Sequence, residues 1–305
     1  MTRRERSGAG RPRVYDCFLF FRELDLLEIR LRELADVVDT FVLVESRYDF
    51  AGREKPLHYK ANRSRFAAFA DRIRHIEVLD EPADADQRWV RQRHQRAAIL
   101  TGLADSAPDD LVLLSDVDEI PSEATVAALA ADPRRHAIHF LNQPLYRFYL
   151  DVRDTGGGGW IGTRAVRARH MIDPTRLRKL KPVNYPKAPR AYEHAYWAYR
   201  SALEFRSYLT RVRHAEAGWH FSSVGDLDYL LAKDQAIAFD EMSQHSTASI
   251  ADWDRHRAAL SMNIGRAERL SADAALPKAV REDPERYAAL LAPQQDEDGD
   301  RPDVR

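Results

Sequence analysis

The sequence predicts an α/β domain built on an open, mostly parallel β-sheet flanked by helices. Three observations support this fold class. Short apolar runs alternate along the chain with segments of helical periodicity. Several of these runs are apolar at almost every position, which is typical of parallel strands buried on both faces. Between residues 14 and 141 the segments follow the order β-α-β-β-α-β-α-β, which favours a parallel sheet covered by helices.

The first half of the chain supplies the strands of this sheet. Strands are predicted at residues 14–21, 40–46, 72–79, 111–119 and 136–141. Leucines from Leu24 to Leu34 recur at helical spacing and predict the first helix, with charged residues such as Glu28 and Arg30 on its other faces. A polar helix is expected over residues 87–100, and a short Ala-rich helix is expected after Pro121.

Beyond residue 150 the pattern changes. Four glycines at 156–159, several prolines and an aromatic cluster predict loops and helices. Helices are expected over 227–239, with Asp226 as the N-cap, and over 250–260 and 284–291. We therefore divide the chain into a disordered tail (1–13), a sheet-forming half (14–150), a second half of the same domain (151–292) and another disordered tail (293–305).

The composition excludes several classes of protein. The 305 residues include 47 basic and 48 acidic side chains, and the resulting net charge of -1 argues against non-specific nucleic-acid binding. Cys17 is the only cysteine, so an intrachain disulfide is excluded, and its apolar strand predicts an inert core thiol. No run approaches the ~18 apolar residues that span a bilayer, and we expect a cytoplasmic protein.

The segment DDLVLLSDVDEIPSE, residues 109–123, carries the strongest chemical signal. Its apolar strand leads into Asp116 and Asp118, with Glu119 beside them. Side chains two apart on a strand share a face, so both carboxylates are expected to converge beyond the carboxyl end of the strand, where open α/β sheets bind ligands. Their hard oxygens favour Mg²⁺ or Mn²⁺ with positions left open for a diphosphate. Alternatively, these acids only favour the N-terminus of the next helix.

Basic and acidic side chains near the predicted strand ends are weaker candidates. Arg91, Gln95 and Arg96 are expected on one face of the 87–100 helix, and arginines suit diphosphate recognition through bidentate hydrogen bonds. The alternative is an ordinary solvated helix face. Glu45 ends a buried strand, where it either contacts a ligand or begins a turn.

Two further signals are ambiguous. His220 stands between Trp219 and Phe221, a setting typical of core histidines. The segment GGGGWIGTR, residues 156–164, superficially resembles a phosphate loop, but it lacks the required Lys and a preceding buried strand. We expect it to be a mobile loop. The sequence contains no H-E-x-x-H, C-x-x-C or G-x-S-x-G motif, so zinc-protease, zinc-ribbon and α/β-hydrolase functions have no support.

Five segments in fixed order resemble glycosyltransferase family 17: residues 14–57, QRAAI at 95–99, LVLLSDVDEIP at 111–121, GTRAV at 162–166 and GWHFS at 218–222. The similarity extends from about residue 14 to 245. It implies a GT-A-like fold, a divalent metal ion held by the D-x-D carboxylates, and inverting transfer from a UDP-sugar. N-acetylglucosamine is the expected sugar.

The resemblance also implies roles for individual residues. Asp116 and Asp118 match the metal and diphosphate motif, and Glu119 is the acid beside them. Glu23 and Glu45 match acidic positions that follow the first two strands, where GT-A folds hold the nucleoside. His220 matches the histidine of GWHFS, and GT-A enzymes often use a late histidine as a metal ligand.

The chain departs from the family pattern at several places. Ala97 stands where relatives usually carry Asn, and Asp240 stands where His is frequent. The insert at 182–215 is longer than in compact bacterial relatives, and we expect the chain to lack the membrane anchor and lumenal cysteines of the animal enzymes. These departures bear on the acceptor more than on the reaction, and they fit a soluble member of bacterial type.

The sequence therefore predicts a metal-dependent, inverting glycosyltransferase that moves a sugar from a UDP-sugar to a carbohydrate-type acceptor. Residues 14–150 would bind the nucleotide sugar and residues 151–292 the acceptor. A single displacement needs one general base, and the candidates are Asp151, Asp154, Glu193 and Asp226. Tyr146, Trp160 and Trp197 either stack on sugars or pack in the core.

Two other functions remain open at this point. One is a metal-dependent phosphohydrolase in which Asp116 is the nucleophile. The other is a non-catalytic module that binds a nucleotide or a carbohydrate, which the departures at Ala97 and Asp240 permit.

Overall fold

The computed structural model describes residues 11–84, 87–156, 159–180, 209–225, 227–236, 267–270 and 276–293, with single positions between 195 and 202. Several predictions fall outside these residues. They are the 250–260 helix, most of both tails, and the candidate residues Glu193, Trp197, Asp226 and Asp240.

Twelve strands form two sheets in this part of the chain. They are β1 (Val14–Phe20), β2 (Thr40–Ser46), β3 (Ile73–Val78), β4 (Leu111–Asp116), β5 (Glu119–Pro121), β6 (Ala137–Gln143), β7 (Leu145–Phe148), β8 (Val152–Asp154), β9 (Trp160–Arg167), β10 (Thr210–His214), β11 (Gly218–Val224) and β12 (Ala267–Arg269).

The larger sheet confirms the predicted fold class. Its seven strands lie in the order β10-β6-β9-β4-β1-β2-β3. The pairs β1–β2, β1–β4, β2–β3 and β6–β10 are parallel, whereas β9 is antiparallel to both β4 and β6. Six strands therefore run in one direction, and their carboxyl ends meet at one edge of the sheet. Strands β9 and β10 from the second half of the sequence lie in the same sheet as the strands of the first half, with β9 between β6 and β4.

The smaller sheet brings the two most informative motifs together. Its order is β12-β8-β7-β11-β5, and β11 pairs antiparallel with β5 so that His220 lies opposite Glu119. Pro121 ends β5, which is an edge strand and therefore tolerates a residue without a backbone N–H.

Helices flank the larger sheet as expected. The helices of the described residues are α1 (Leu24–Glu33), α2 (His58–Ala61), α3 (Arg88–Ala97), α4 (Ile99–Gly102), α5 (Glu123–Ala131), α6 (Pro174–Lys179), α7 (Leu227–Ala236) and α8 (Lys278–Glu282). Apolar residues of α7 and α8 pack with strands of the smaller sheet instead. Helix α5 begins after Ser122, whose Oγ accepts a hydrogen bond from the Thr125 N–H at 3.3 Å. The predicted helix at 284–291 is a 3₁₀ turn, Glu285–Leu290. Within the described ranges, no helix has the length and apolarity needed to cross a bilayer.

Apolar side chains fill both faces of the larger sheet. On one face Phe18 and Leu113 pack with Leu27 and Leu31 of α1. On the other face Cys17 packs with residues that include Ile99, and burial raises the pKa of its thiol. Cys17 has no exposed surface, which confirms the predicted core position.

Three predictions are wrong in their local detail. The expected mobile loop at 156–164 contains the start of β9, which lies in the middle of the larger sheet. The expected strand at 111–119 ends at Asp116, and Glu119 begins a strand of the other sheet. Glu28 and Arg30 of α1 are buried, because ion pairs and backbone carbonyls satisfy their charges inside the protein.

Candidate active site

A cleft opens at the edge where the parallel strands β1, β2 and β4 end. Its volume is about 280 Å³. Strand β9 runs in the opposite direction, so its first residue, Trp160, lies at the same edge. The cleft is therefore at the place where open α/β sheets bind ligands. Its lining includes Phe20, Phe21, Glu23, Tyr48, Phe50, Lys55, Gln95, Asp116, Asp118, Glu119, Trp160, His220 and Lys233.

Both predicted carboxylates line the cleft, but strand geometry does not bring them there. Asp116 is the last residue of β4, whereas Asp118 lies in the turn that connects β4 to β5. We call residues 116–119 the D-x-D turn. The expectation that both side chains share one face of a strand is therefore wrong, since a change of chain direction between the two sheets places them.

Arg30 of α1 holds this turn from inside the protein. Its Nη1 donates hydrogen bonds to the carbonyl oxygens of Asp116, Val117 and Glu119, at 3.1, 3.3 and 2.8 Å. Its Nε and Nη2 donate to the Asp16 carboxylate at 2.7 and 2.6 Å, and neither side chain of this ion pair is exposed. The turn is therefore fixed through its backbone.

Two arginines neutralise Asp116. Arg96 of α3 donates to Oδ1 at 3.1 Å, and Arg178 of α6 donates to Oδ2 at 2.8 Å. Burial alone would raise the pKa of Asp116, but the two guanidinium groups hold it well below its usual range. Asp116 is thus an anion held in place by the chain's own cations.

Asp118 is paired with a lysine. Nζ of Lys233, on α7, lies 2.6 Å from Oδ2 of Asp118. Burial opposes ionisation of Asp118, but Lys233 keeps the pKa of this carboxyl below its ordinary value. Burial lowers and Asp118 raises the pKa of Lys233, with a net increase. Lys233 also lies 3.8 Å from Oε1 of Glu23, and that oxygen accepts a hydrogen bond from the Tyr229 hydroxyl at 3.0 Å.

Glu119 is almost completely buried and organises the surrounding groups. Its Oε1 accepts hydrogen bonds from Arg178 Nη2 at 2.7 Å and from Trp160 Nε1 at 2.6 Å. Its Oε2 accepts from the backbone N–H of Asp116 at 3.0 Å. Because all these contacts are internal, Glu119 positions its neighbours.

His220 reaches the cleft from β11. Its Nε2 lies 4.0 Å from Oδ1 of Asp118, and its buried Nδ1 has no hydrogen-bond partner. Burial lowers the pKa of this imidazole, with Asp118 opposing the change, so the neutral ring is favoured near pH 7. The Phe221 N–H donates to the Asp118 carbonyl at 2.9 Å, which ties β11 to the D-x-D turn.

The candidate nucleotide-binding residues do not all reach the cleft. Glu23 and Gln95 line the cleft. Arg96 is not in the lining but donates a hydrogen bond to Asp116, which is. Arg91 instead lies 2.5 Å from the Glu81 carboxylate. Glu45 is fully buried outside the lining, where its carboxylate accepts hydrogen bonds from backbone N–H groups at the start of α2.

The family departure at Ala97 also lies outside the cleft. Ala97 is the exposed last residue of α3, and it is absent from the cleft lining. The departure at Asp240 falls beyond the described residues.

Sequence reasoning missed three cations that shape the site: Arg30, Arg178 and Lys233. Arg30 was expected on an outer face of its helix, and the other two lie in segments without a motif. The signal available for Lys233 was its position on the predicted 227–239 helix, one turn after the buried Tyr229. For Arg178, no local pattern indicates a partner 59 or 62 positions away.

The donor atoms fit a divalent cation in their chemistry. Carboxylate oxygens of Asp116 and Asp118 line the same cleft as His220, whose buried Nδ1 is unpartnered. As arranged, however, no group of three or more His, Cys, Asp or Glu side chains among the described residues is suited to hold a metal ion. Lys233 lies where a cation bound to Asp118 would be placed.

Comparison with known proteins supports one family. The sequence profile of glycosyltransferase family 17 matches residues 3–179. The beta-1,4-mannosyl-glycoprotein 4-beta-N-acetylglucosaminyltransferases of Rattus norvegicus and Homo sapiens are 28% and 27% identical over 232 residues. Each alignment covers 69% of this chain and 40% of the relative, so the chain spans less than half the length of these curated relatives.

Two solved structures show only distant similarity. The mannosyltransferase PcManGT from Pyrobaculum calidifontis, in complex with GDP-Man and Mn²⁺, has a TM-score of 0.40 and 13% identity, covering 75% of this chain and 62% of that chain. The galactosyltransferase LgtC, in complex with donor and acceptor sugar analogs, has a TM-score of 0.28 and 11% identity, covering 93% of this chain and 98% of that chain.

Proposed function

Because the chain belongs to glycosyltransferase family 17, we propose that it transfers a sugar from a nucleotide-sugar donor to a glycan acceptor. The observation that carries this proposal is the D-x-D turn at the cleft. Asp116 and Asp118 line a cavity at the carboxyl ends of parallel strands, where a diphosphate and its counter-cation have room.

The proposed donor is UDP-N-acetylglucosamine, and the proposed acceptor carries a mannosyl residue. The N-acetylglucosamine and the mannosyl acceptor follow from the names of the relatives, which are beta-1,4-mannosyl-glycoprotein 4-beta-N-acetylglucosaminyltransferases, whereas UDP follows from the family resemblance. Aromatic side chains of Phe21, Tyr48 and Phe50 line the β1 and β2 end of the cleft and offer flat surfaces for a uracil ring.

A divalent metal ion, Mn²⁺ or Mg²⁺, would be held by Asp116 and Asp118, with His220 as a third ligand, after Lys233 leaves Asp118 and these three side chains move together. It would neutralise the charge on the departing diphosphate. The chain's own residues prepare that environment. Arg178 and Arg96 hold Asp116 in its ionised form, and Arg30 fixes the backbone from which both carboxylates project.

We propose a single displacement with inversion at the anomeric carbon. The acceptor oxygen bonds to that carbon while the bond to the diphosphate oxygen breaks and its electron pair leaves with the nucleoside diphosphate. The hydroxyl proton passes to a general base. Proton NMR of the first product is the test: a β-linked product from the α-linked donor is expected, and an α-linked product would exclude a single displacement.

Two of the four candidates for the general base lie outside the cleft lining. Asp151 accepts hydrogen bonds from Arg269 at 3.1 Å and from the Ala292 N–H at 2.9 Å, and Asp154 accepts from Arg147 at 2.9 Å. Neither lines the cleft. Glu193 and Asp226 lie outside the described residues.

Isothermal titration calorimetry with UDP tests the donor site. UDP should bind in the presence of Mn²⁺, EDTA should abolish binding, and Asp118→Asn should weaken it more than tenfold because a carboxylate ligand is lost. Glu77→Gln is the matched control, since Glu77 pairs with Lys60 outside the cleft. Equal affinity with EDTA or in Asp118→Asn would contradict the metal role. Release of free sugar without an acceptor would favour hydrolysis, and binding without turnover would favour a non-catalytic module.

His220 has a test of its own. If it binds the metal or the diphosphate, His220→Ala should weaken Mn²⁺-dependent UDP binding, because the imidazole whose Nε2 lies beside Asp118 is then lost. If it is only a core residue, the variant should lose roughly 1–3 kcal/mol of stability and bind Mn²⁺-UDP normally. Melting temperature and UDP affinity measured on the same variant separate the two roles.

A further inference from the structure

Trp160 combines an exposed ring with a fixed edge. The residue is 49% exposed, although its indole N–H donates a 2.6 Å hydrogen bond to the buried Glu119 carboxylate. It follows Gly159, whose φ of +79° turns the chain into β9. An exposed side chain is ordinarily free to rotate, but this one is anchored.

The anchor is rigid because Glu119 has no room to move. Its carboxylate also accepts hydrogen bonds from Arg178 and from the Asp116 N–H. A Cβ atom at Gly162 would overlap this carboxylate, so glycine is required there for Glu119 to occupy its position. Glu119 and Gly162 therefore hold the indole in one orientation.

The bond to Glu119 leaves an apolar surface for a ligand. Nε1–H is the only hydrogen-bond donor of the indole, and Glu119 already occupies it. The ring lies beside His220, with centroids 5.4 Å apart, and both line the cleft that contains Asp118. A flat apolar surface next to carboxylates and an imidazole suits a pyranose, which has C–H groups on one face and hydroxyls at its rim.

Trp160 lies at a different point along the sheet edge from Phe21, Tyr48 and Phe50, the side chains proposed to contact uracil. The spatial order is β9, β4, β1, β2, so Asp116 of β4 lies between Trp160 and the β1 and β2 end of the cleft. A diphosphate at the D-x-D turn would direct the nucleoside to one side and sugar rings to the other.

We propose that Trp160 is the stacking platform for a pyranose ring and that Glu119 is its positioning residue. This inference rests on the proposed function and specifies its sugar subsite. The pyranose is either the sugar of the donor or the mannosyl ring of the acceptor. In a β-mannoside the axial hydrogens H1, H3 and H5 project from one face, which provides the apolar surface that an indole contacts.

The test compares Trp160→Ala with Trp89→Ala. Trp89 is a matched control because it is similarly exposed, at 46%, and does not line the cleft. Calorimetry with Mn²⁺ measures UDP and UDP-N-acetylglucosamine, and saturation-transfer NMR measures methyl β-D-mannopyranoside. If the donor sugar is stacked, Trp160→Ala should weaken UDP-N-acetylglucosamine binding about tenfold and leave UDP unchanged. If the mannosyl ring of the acceptor is stacked instead, Trp160→Ala should abolish the saturation transfer to H1, H3 and H5 of methyl β-D-mannopyranoside. Trp89→Ala should match the wild type in both arms.

Trp160→Phe guards against a folding defect. Phenylalanine keeps an aromatic face but lacks the N–H that Glu119 holds, so it should restore only part of the sugar binding that Trp160→Ala loses. Full restoration would show that Glu119 does not position the ring. Sugar binding that is unchanged in Trp160→Ala, in both arms, overturns the proposal, as does an equal loss of UDP and UDP-N-acetylglucosamine affinity. A wild type that binds neither nucleotide refutes the proposed donor, while the mannoside experiment still tests Trp160.

Discussion

His139 is a buried imidazole in a strongly charged neighbourhood. It is 3% exposed, and its Nδ1 lies 3.0 Å from Nε2 of His214 on the neighbouring strand β10. The Asp132 carboxylate lies 4.0 Å from its Nε2. Burial, reinforced by His214, lowers the pKa of His139 from its ordinary 6.5 to about 4, although Asp132 opposes this change. The folded protein therefore keeps this ring neutral.

This neutral ring predicts a loss of stability in mild acid. Between pH 6.5 and 4 the unfolded chain binds a proton at His139 that the folded protein does not, so the free energy of unfolding should fall as the pH falls through this window. From pH 7 to 5 the contribution is about 2 kcal/mol. Urea unfolding of wild type and His139→Gln at both pH values measures it. Between pH 7 and 5 the free energy of unfolding should fall by about 2 kcal/mol less in the variant than in the wild type. An equal fall in both proteins would contradict the expectation.

Helix α7 acts at the scale of an element, because it carries a cation into the cleft. Lys233 contacts Asp118, and Gln235 on the same helix accepts a hydrogen bond from Arg53 at 2.8 Å. The helix thus connects the D-x-D turn to the loop after β2. If Asp118 binds a metal ion as proposed, that ion has to exchange with the Lys233 ammonium group.

We therefore expect Lys233→Met to bind Mn²⁺ more tightly in the absence of nucleotide. The variant no longer has to break the Lys233–Asp118 ion pair, and the expected gain is about tenfold, which corresponds to about 1.4 kcal/mol. Electron paramagnetic resonance of free Mn²⁺ measures the affinity. Lys233→Arg keeps the charge and Gln235→Ala changes the helix away from Asp118, so both should resemble the wild type. Equal or weaker Mn²⁺ binding by Lys233→Met would show that no exchange occurs.

The elements also show what sequence reasoning can reach. The parallel strands were predictable because burial on both faces leaves apolar runs, and the position of Asp116 and Asp118 at the ligand-binding edge was predictable because both stand at the end of such a run. Strand β9 was missed because its glycine-rich approach indicated a loop. The cations Arg178 and Lys233 were missed because long-range ion pairs leave no local periodicity. Glu45 was predicted in a ligand role, but local backbone N–H groups satisfy its carboxylate.

At the scale of the whole molecule, Arg30 connects a helix, the larger sheet and the smaller sheet. It lies in α1, pairs with Asp16 of β1, and donates to carbonyls on both sides of the junction between β4 and β5. Its side chain is fully buried. These contacts join parts of the protein that are distant in sequence, so we expect their loss to affect global stability.

Arg30→Met should lower the free energy of unfolding by about 3–5 kcal/mol, because it strands the Asp16 charge and three carbonyl oxygens inside the protein. Adding Asp16→Asn should recover part of this loss by removing the stranded charge. Urea unfolding of both single variants and the double variant completes the cycle. A loss below about 1 kcal/mol in Arg30→Met would mean that this buried network contributes little.

Arg30 recognises the D-x-D turn through carbonyl oxygens, which every amino acid carries. Replacing the side chain of Asp116 or Asp118 leaves these acceptors in place, so the frame of the turn does not depend on the chemistry it presents. Such a separation favours evolvability. Libraries that vary positions 116 and 118 together with the cations that pair with them, Arg96, Arg178 and Lys233, should yield many folded proteins from which new ligand preferences can be selected.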